Sequence, residues 1–520
     1  MELAATRSTK RQTVVNLATT IVNYTLTLAI SFFLTPYIVK KLGVGAYGFI
    51  GLSNNLLSYT SLITIALTSM SGRFISIHFH KGDIATSNKY LSSTYFANCG
   101  FAIIIGLICG GFTIFMDYFL NIPPDLVRDV RFLFTILFLN TVLSMFFSFT
   151  GNAPFIRNRL DLGNIRAMIG SIIRVVLLII AYGFFPAHLW YYGAVGMISS
   201  IYYVSASYYL YRKLTPEAHV SVADFDMKRV WEMMKAGAWN LLSQLSSILN
   251  MGLELLLANI FVNDFYMGVI SITKTLPGII LSFFASIGGI FHPEYIKLYA
   301  QGDMEGLRLS ILKSIRILGL FTAGPCAGIF SFSDVFYSAW LHTHDYELMY
   351  YITCVGMFGI VFSLPTQSVW YVFTMTTTVK RSSLTLIKYG VANIVLTIIA
   401  VKLTDDQVLK VYMIAGIQSL LMALRMVTFL PIYAAKVLGF PKYSLLWPLL
   451  KVVLVTAVIS VIGLGIKFFF VNDYNWMSLI IGAATTAIMG FGVNYMVSLS
   501  DSDRAFIRTR ILKLKQLLWM

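Results

Sequence analysis

Fourteen times along this chain an apolar run long enough to cross a bilayer recurs, at about 14–38, 47–72, 91–116, 131–150, 167–185, 190–211, 237–262, 266–291, 309–333, 348–374, 384–401, 408–434, 447–470 and 476–498. A spanning helix needs about twenty such residues. The expected fold class is therefore an all-α polytopic membrane protein with about 14 transmembrane helices. Composition agrees: 57% of the 520 residues are hydrophobic and only 12% are charged, against about 25% charged in soluble domains. The mean hydropathy is +0.75. The deficit of charge is chain-wide, which fits many spans and not one anchor.

The net charge of +16 has a topological explanation, because lysine and arginine accumulate in cytoplasmic loops. With the N-terminus placed inside, 27 of the 39 basic residues fall in cytoplasmic segments, six outside and six within spans. Both termini are then cytoplasmic. The basic start, MELAATRSTKRQ, leads into a long apolar run without an A-x-A cleavage site, so a retained first span is expected. Nucleic-acid binding would need a polar domain, and no long polar stretch exists. The cysteines, Cys99, Cys109, Cys326 and Cys354, lie in apolar runs without CxxC spacing and read as packing residues.

The chain repeats itself. Gly48 precedes Asp83 of HKGD by 35 residues, and Gly268 precedes Asp303 of AQGD by 35, an offset of 220 each time. Gly106/Gly110 matches Gly324/Gly328. Asn16, Thr20, Asn23 and Thr27 step by 4, 3 and 4, as do Asn240, Gln244, Ser247 and Met251. Two six-helix lobes related as parallel repeats follow, an architecture of transporters. The expected division is 1–211 (spans one to six), a cytoplasmic linker 212–236 with a surface helix capped by Asp224 or Asp226, 237–434 (spans seven to twelve), spans thirteen and fourteen at 435–498, and a basic tail 499–520. In the tail, Ile507, Ile511, Leu514 and Leu518 share a helical face against Arg504, Arg508 and Lys515, which predicts an interfacial amphipathic helix on anionic lipid.

Polar stripes at helical spacing must face protein or water, because lipid cannot satisfy them. The first- and seventh-span stripes are either two walls of one cavity or helix–helix hydrogen-bonding faces. Glu254, which continues the seventh-span stripe, reads as the only well-buried acid in the spans. Among the basic residues, Arg316, Lys451 and Lys467 lie near span ends and can snorkel to headgroups, whereas Arg174, Lys274 and Arg425 lie deeper. A lysine at a helix centre costs roughly 2.5–3.5 kcal/mol on insertion scales. Lys274 also sits three residues before Pro277, which can break its helix. Deep cations with few acids suit an anion such as phosphate or pyrophosphate, and suit a cationic drug or a metal ion poorly. Trp239 and Trp370 are candidates for stacking on sugars. The HTHD cluster at His342, His344 and Asp345 is a hydrated loop or a metal site. No Walker, HExxH, GxSxG or CxxC motif is present, the outside loops are short, and no cofactor or enzymatic activity is expected.

At FFLTPYIVKKLGVGAYGFIGLSNN, residues 32–55, followed by the HKGD loop, the chain resembles Wzx-type O-antigen and polysaccharide flippases. These belong to the multidrug/oligosaccharidyl-lipid/polysaccharide exporter (MOP) superfamily, which also contains the lipid II flippases. The motif-like similarity covers about the first ninety residues, and the general plan covers the chain. The resemblance implies a bacterial inner-membrane protein that moves an undecaprenyl-pyrophosphate-linked oligosaccharide from the cytoplasmic to the periplasmic leaflet by alternating access, for O-antigen, lipopolysaccharide or related polysaccharide biosynthesis. It also implies the phospholipid bilayer and polysaccharide polymerase machinery as partners, and no nucleic acid. Lys274 matches a cation that related flippases place on the eighth span. Asn54 and Asn55 stand where lipid II flippases carry an arginine. The expected substrate-binding set is Lys274, Arg174, Arg425, Asn23, Asn54, Asn240 and Gln244, with Glu254 as a coupling-ion candidate. A cation-coupled drug antiporter of the same superfamily is the second reading, and a glycan-building membrane enzyme the third.

Overall fold

The computed structural model describes residues 9–342, 345–376, 378–471, 473–499 and 504. The amphipathic tail face, with Ile507, Arg508, Ile511, Leu514, Lys515 and Leu518, lies outside them, as does His344 of the HTHD cluster. Every regular element among the described residues is helical. Twelve helices are long and apolar enough to cross a membrane, or thirteen when one bent pair is taken as a single span. The remaining expected span, the sixth, is present as the helix Tyr191–Leu214 but is too rich in tyrosine and serine to pass the same test. The chain divides into two compact units, one of residues 1–248 and 255–268, the other of 249–254 and 269–520.

The first unit contains α1 (Thr9–Leu42), α2 (Val44–His80), α3 (Ile84–Phe115), α4 (Val127–Phe146), α5 (Asn152–Ile156), α6 (Leu160–Phe184), α7 (Tyr191–Leu214), α8 (Met227–Ser247), α9 (Glu254–Phe261, from Leu255 onward) and most of α10 (Asp264–Thr273). Gly43 alone links α1 to α2, at a φ of 88° that suits glycine. Asp226, not Asp224, caps α8, its carboxylate accepting from the Lys228 amide at 2.9 Å. The expected separate surface helix is thus the first turns of the seventh span, because no breaker follows Met227. Where α8 crosses α2, a side chain on Gly237 would run into the Ala66 carbonyl. Such close backbone approach is how membrane helices gain packing where lipid supplies no hydrophobic drive. Leu67, Ile75, Tyr90 and Met233 form a core beside it.

The sequence repeat has a structural counterpart in local geometry. Gly82 and Gly302 both adopt left-handed backbone, with φ of 79° and 72°. Asp83 then caps α3 through the Thr86 amide, and Asp303 caps its helix through the Gly306 amide. The Thr86 amide bond holds the exposed Asp83 carboxyl below its usual range. Gly48 and Gly268, equivalent in the repeat, face each other within the first unit: a Cβ on Gly48 would lie 2.7 Å from the Gly268 nitrogen. Nearby in sequence, Asn121 and Asn259 form a reciprocal clamp. The Asn121 amide donates to Asn259 Oδ1 (2.9 Å), Asn121 Nδ2 to the Asn259 carbonyl (2.8 Å), and Asn259 Nδ2 to the Asn121 carbonyl (3.0 Å).

The second unit contains α11 (Thr275–Gly288), α12 (His292–Ala300), α13 (Met304–Leu341), α14 (Tyr346–Ser363), α15 (Trp370–Met375), α16 (Val379–Lys402), α17 (Gln407–Thr428), α18 (Leu430–Val437), α19 (Leu446–Phe470) and α20 (Trp476–Val497). The long helix α13 is its centre. Its Ile315 and Leu318 share a core cluster with Met357, Leu364 and Leu430. Spans thirteen and fourteen, α19 and α20, pack on α13 through small residues: Gly319 against Val452, Gly463 against Ser331, and Gly324 against Ala487.

Two sequence expectations are corrected here. Glu254 is not the only buried acid: Asp334 on α13 is 5% exposed and Asp161, at the start of α6, 4%. Lys467 does not snorkel. Its ammonium pairs with Asp334, whose same carboxylate oxygen accepts from Tyr474 at 2.9 Å, and the Tyr350 ring lies 5.1 Å from the ammonium. A buried partner at hydrogen-bond distance outcompetes the reach to a headgroup. Asp161 is held by Arg159 and Gln12. All four cysteines are free.

Breaking a buried ion pair from one side leaves an uncompensated charge and costs about 3–5 kcal/mol, whereas replacing both partners costs far less. Asp334→Asn and Lys467→Met should each lower the melting temperature of the purified protein sharply, and the double variant should recover most of the loss. Asn259→Ala should destabilise by about 2–3 kcal/mol by orphaning the Asn121 groups, read by the same melt.

Candidate functional site

The eighth span is interrupted at Lys274. Helix α10 ends at Thr273 and α11 begins at Thr275. The cause is Pro277, which has no N–H to donate to the Thr273 carbonyl. The Tyr337 hydroxyl of α13 stands 3.5 Å from that freed carbonyl. The backbone of Lys274 stays bonded on both sides, its amide to the Ile270 carbonyl (3.1 Å) and its carbonyl to the Gly278 amide (3.0 Å). The break therefore changes local geometry without unwinding the span, as expected from the position of the proline.

The seventh span is also interrupted. After α8 the chain makes one π-helical turn, Ile248–Gly252, then bends by 42° into α9. Within the second unit this turn is docked from several sides. Gly390 of α16 gives it room, since a Cβ there would lie 2.5 Å from that of Leu249. Asn250 leaves the helix to work outward: its Nδ2 donates to the Leu386 carbonyl at 2.9 Å, and its Oδ1 accepts from Arg425 at 3.1 Å. The next residue, Met251, offers its carbonyl to the Lys274 ammonium at 3.1 Å. Adjacent residues of one π-turn thus hold both deep cations of this unit.

Lys274 has a second, stronger partner. Its Nζ lies 2.5 Å from Oε2 of Glu254, with side-chain exposures of 34% and 8% respectively. Glu254 sits in the first turn of α9, at the positive end of that helix, and Lys274 lies between the end of α10 and the start of α11. The pair borders a cavity of about 210 Å³ lined also by Thr273, Thr353, Gln418, Ser419, Met251 and Met422. Among the described residues, Glu254 and Lys274 are the only ionisable side chains in its lining. Gln418 brings a buried Oε1 with no hydrogen-bond partner. Gln418, Met422 and Arg425 follow one another at helical spacing on α17, so Arg425 continues the face that lines the cavity. Its guanidinium is 7% exposed, lies 6.0 Å from the Trp370 ring, and keeps a buried Nε without a hydrogen-bond partner. An ammonium has three donors, and two are engaged here.

The other expected site residues lie in the first unit. Arg174 of α6 stacks on Tyr192 of α7 at 4.4 Å, and its buried Nε has no hydrogen-bond partner. Asn240 and Gln244 of α8 donate to Ser69 Oγ (3.0 Å) and Ser61 Oγ (3.4 Å) of α2, flanking the Gly237 crossing. Asn23 is half-buried on α1, and Asn54 is exposed on α2. The rest of the first-span stripe works as a staple. Asn16 donates to Asn158 at 3.0 Å and accepts from the Asp161 amide, and Thr20 accepts from Asn164 at 2.8 Å. Neither Asn250 nor Gln418 is among the site residues expected from the sequence. The hydropathy signal contains neither role, although a lone Asn or Gln within an apolar run was there to be seen.

No protein-family model matches the chain. An uncharacterized membrane protein of Bacillus subtilis (strain 168), EpsK, is 26% identical over 505 residues, which is 96% of this chain and 98% of that protein. Among solved structures, the lipid II flippase MurJ in an inward closed conformation superposes with a TM-score of 0.61 at 15% identity, over 93% of this chain and 99% of that one. An inward-facing multidrug resistance MATE family transporter of the MOP superfamily gives 0.55 at 13%, over 93% and 97%. These neighbours are transporters and a flippase, not enzymes. The chain has the fold of the MOP-superfamily transporters, a polytopic all-α membrane architecture.

Proposed function

We propose that this protein is a flippase for an undecaprenyl-pyrophosphate-linked oligosaccharide, moving it from the cytoplasmic to the periplasmic leaflet of a bacterial inner membrane, with both termini in the cytoplasm. The observation that carries this reading is Lys274, a cation deep in the eighth span that borders a cavity. An ammonium within a membrane span is expensive and is kept where it has work to do. In the scheme, Lys274 and Arg425 hold the diphosphate by charge-assisted hydrogen bonds. Arg174 contributes from the first lobe, 1–211. Asn23, Asn54, Asn240 and Gln244 meet sugar hydroxyls as the lobes exchange between inward-open and outward-open forms. The second lobe is 237–434, the linker 212–236, and α19–α20 an addition. The prenyl tail stays in lipid, and the polysaccharide polymerase machinery receives the product.

The fold is shared with drug transporters, so the site must separate the two readings. A cationic drug needs a carboxylate free to receive it. Glu254 is neutralised by Lys274 at 2.5 Å, and Asp334 by Lys467. An anion finds partners more readily than a cation does. An inside-negative potential also favours outward movement of an anionic headgroup, by about 2.3 kcal/mol per charge per 100 mV if it crosses the whole field.

In cells whose surface glycan depends on this protein, Lys274→Ala and Arg425→Gln at normal expression should each cut glycan export by about tenfold to a hundredfold, the value of a charged hydrogen bond. Lys274→Arg should retain part of it. Unimpaired export by Lys274→Ala, or efflux of cationic dyes by reconstituted protein, would replace this reading with the antiporter.

A further inference from the structure

Resting on the anion reading of the same site, we infer that an anionic headgroup and Glu254 compete for Lys274, so that loading the anion drives uptake of a proton by Glu254. The ammonium is a single resource with two claims on it. In the structure it is taken by Glu254 Oε2 at 2.5 Å and by the Met251 carbonyl at 3.1 Å. A diphosphate that draws Lys274 toward itself must loosen the first contact.

The surroundings decide what happens to the carboxylate then. From the eighth span the cavity is lined by Ile270, Thr273, Pro277, Gly278 and Leu281 besides Lys274, and the acid at the start of α10, Asp264, is not in the lining. On α14 the cavity is lined by Ile352, Thr353, Gly356 and Ile360, with the thiol of Cys354 adjacent in sequence. On α17 it is lined by Ala415, Gln418, Ser419 and Met422, and the next cation, Arg425, is engaged by Asn250. On α13 the Tyr337 hydroxyl lies 2.8 Å from Thr353 Oγ1. No second cation lines the cavity to replace the ammonium. A carboxylate left 8% exposed without a counterion takes a proton, because burying it charged costs more than neutralising it.

The balance is simple. Empty, the pair carries no net charge. Loaded, Lys274 keeps its positive charge for the diphosphate, Glu254 becomes a neutral acid, and one proton from water accompanies the headgroup. The loaded cavity is then one unit less negative than the headgroup and an ionised pair would make it. The arrangement also makes loading sensitive to pH: binding that takes up one proton weakens about tenfold for each unit of rising pH.

Inorganic pyrophosphate is the probe, titrated calorimetrically into the purified full-length protein in buffers of different ionisation enthalpy, between about pH 6 and 8. The wild type should take up about one proton more than Glu254→Gln on binding. Glu254→Gln should bind pyrophosphate about tenfold tighter at the alkaline end, because the competitor is gone. Glu254→Asp, which keeps the carboxylate, should retain the extra proton and guards against a folding defect in the amide variant. Equal proton counts in wild type, Glu254→Asp and Glu254→Gln, with binding intact, overturn the coupling and leave the anion site standing. Absence of pyrophosphate binding in both wild type and Glu254→Gln overturns the anion site itself.

Discussion

Inside a bilayer a polar group can be satisfied only by the protein that carries it. The Lys274–Glu254 pair is this constraint at its sharpest, since neither charge could stand alone at that depth. The interruptions of spans seven and eight follow from it. Pro277 places the lysine at a helix break, and the π-turn Ile248–Gly252 sets Glu254 at the start of a new helical segment. Glu254 then meets the positive end of α9 as well as its partner. The same turn supplies Asn250 to Arg425, so the two deep cations of the second unit are not independent.

The spans were legible because hydropathy over twenty residues is a sum, and sums tolerate local errors. The repeat brought Gly82–Asp83 and Gly302–Asp303 into register, and both adopt the same left-handed turn and helix cap because that is local chemistry. The break at Lys274 was legible from Pro277 for the same reason. Partners were not. The stripe of Asn16 and Thr20 could be a cavity wall or a helix–helix face, and those side chains bond Asn158, Asp161 and Asn164. Asn240 and Gln244 meet Ser69 and Ser61. A stripe reveals that a face avoids lipid; which neighbour it meets is decided by packing across more than a hundred residues of chain. Asp334 was missed because it stands near the end of its apolar run, where an acid looks like the start of a loop, whereas α13 continues to Leu341.

Small residues and ion pairs divide the labour in this fold. Gly237, Gly319, Gly324 and Gly463 bring backbones together where only van der Waals contact is available. The charged and amide side chains fix which helices meet. The two devices coincide at α2–α8, where Gly237 lies on the same helix as Asn240 and Gln244, and at α13–α20, where Asn494 donates to the Gly319 carbonyl at 2.6 Å.

The two membrane salt bridges differ in when they can form. Glu254 and Lys274 are twenty residues apart and emerge from the ribosome almost together. Asp334 and Lys467 are separated by 133 residues, which at ordinary synthesis rates is a delay of about 7–27 s. During that interval α13 carries an acid with no ammonium to meet it. The Asp334–Lys467 contact thus ties α13 to a helix synthesised long after it.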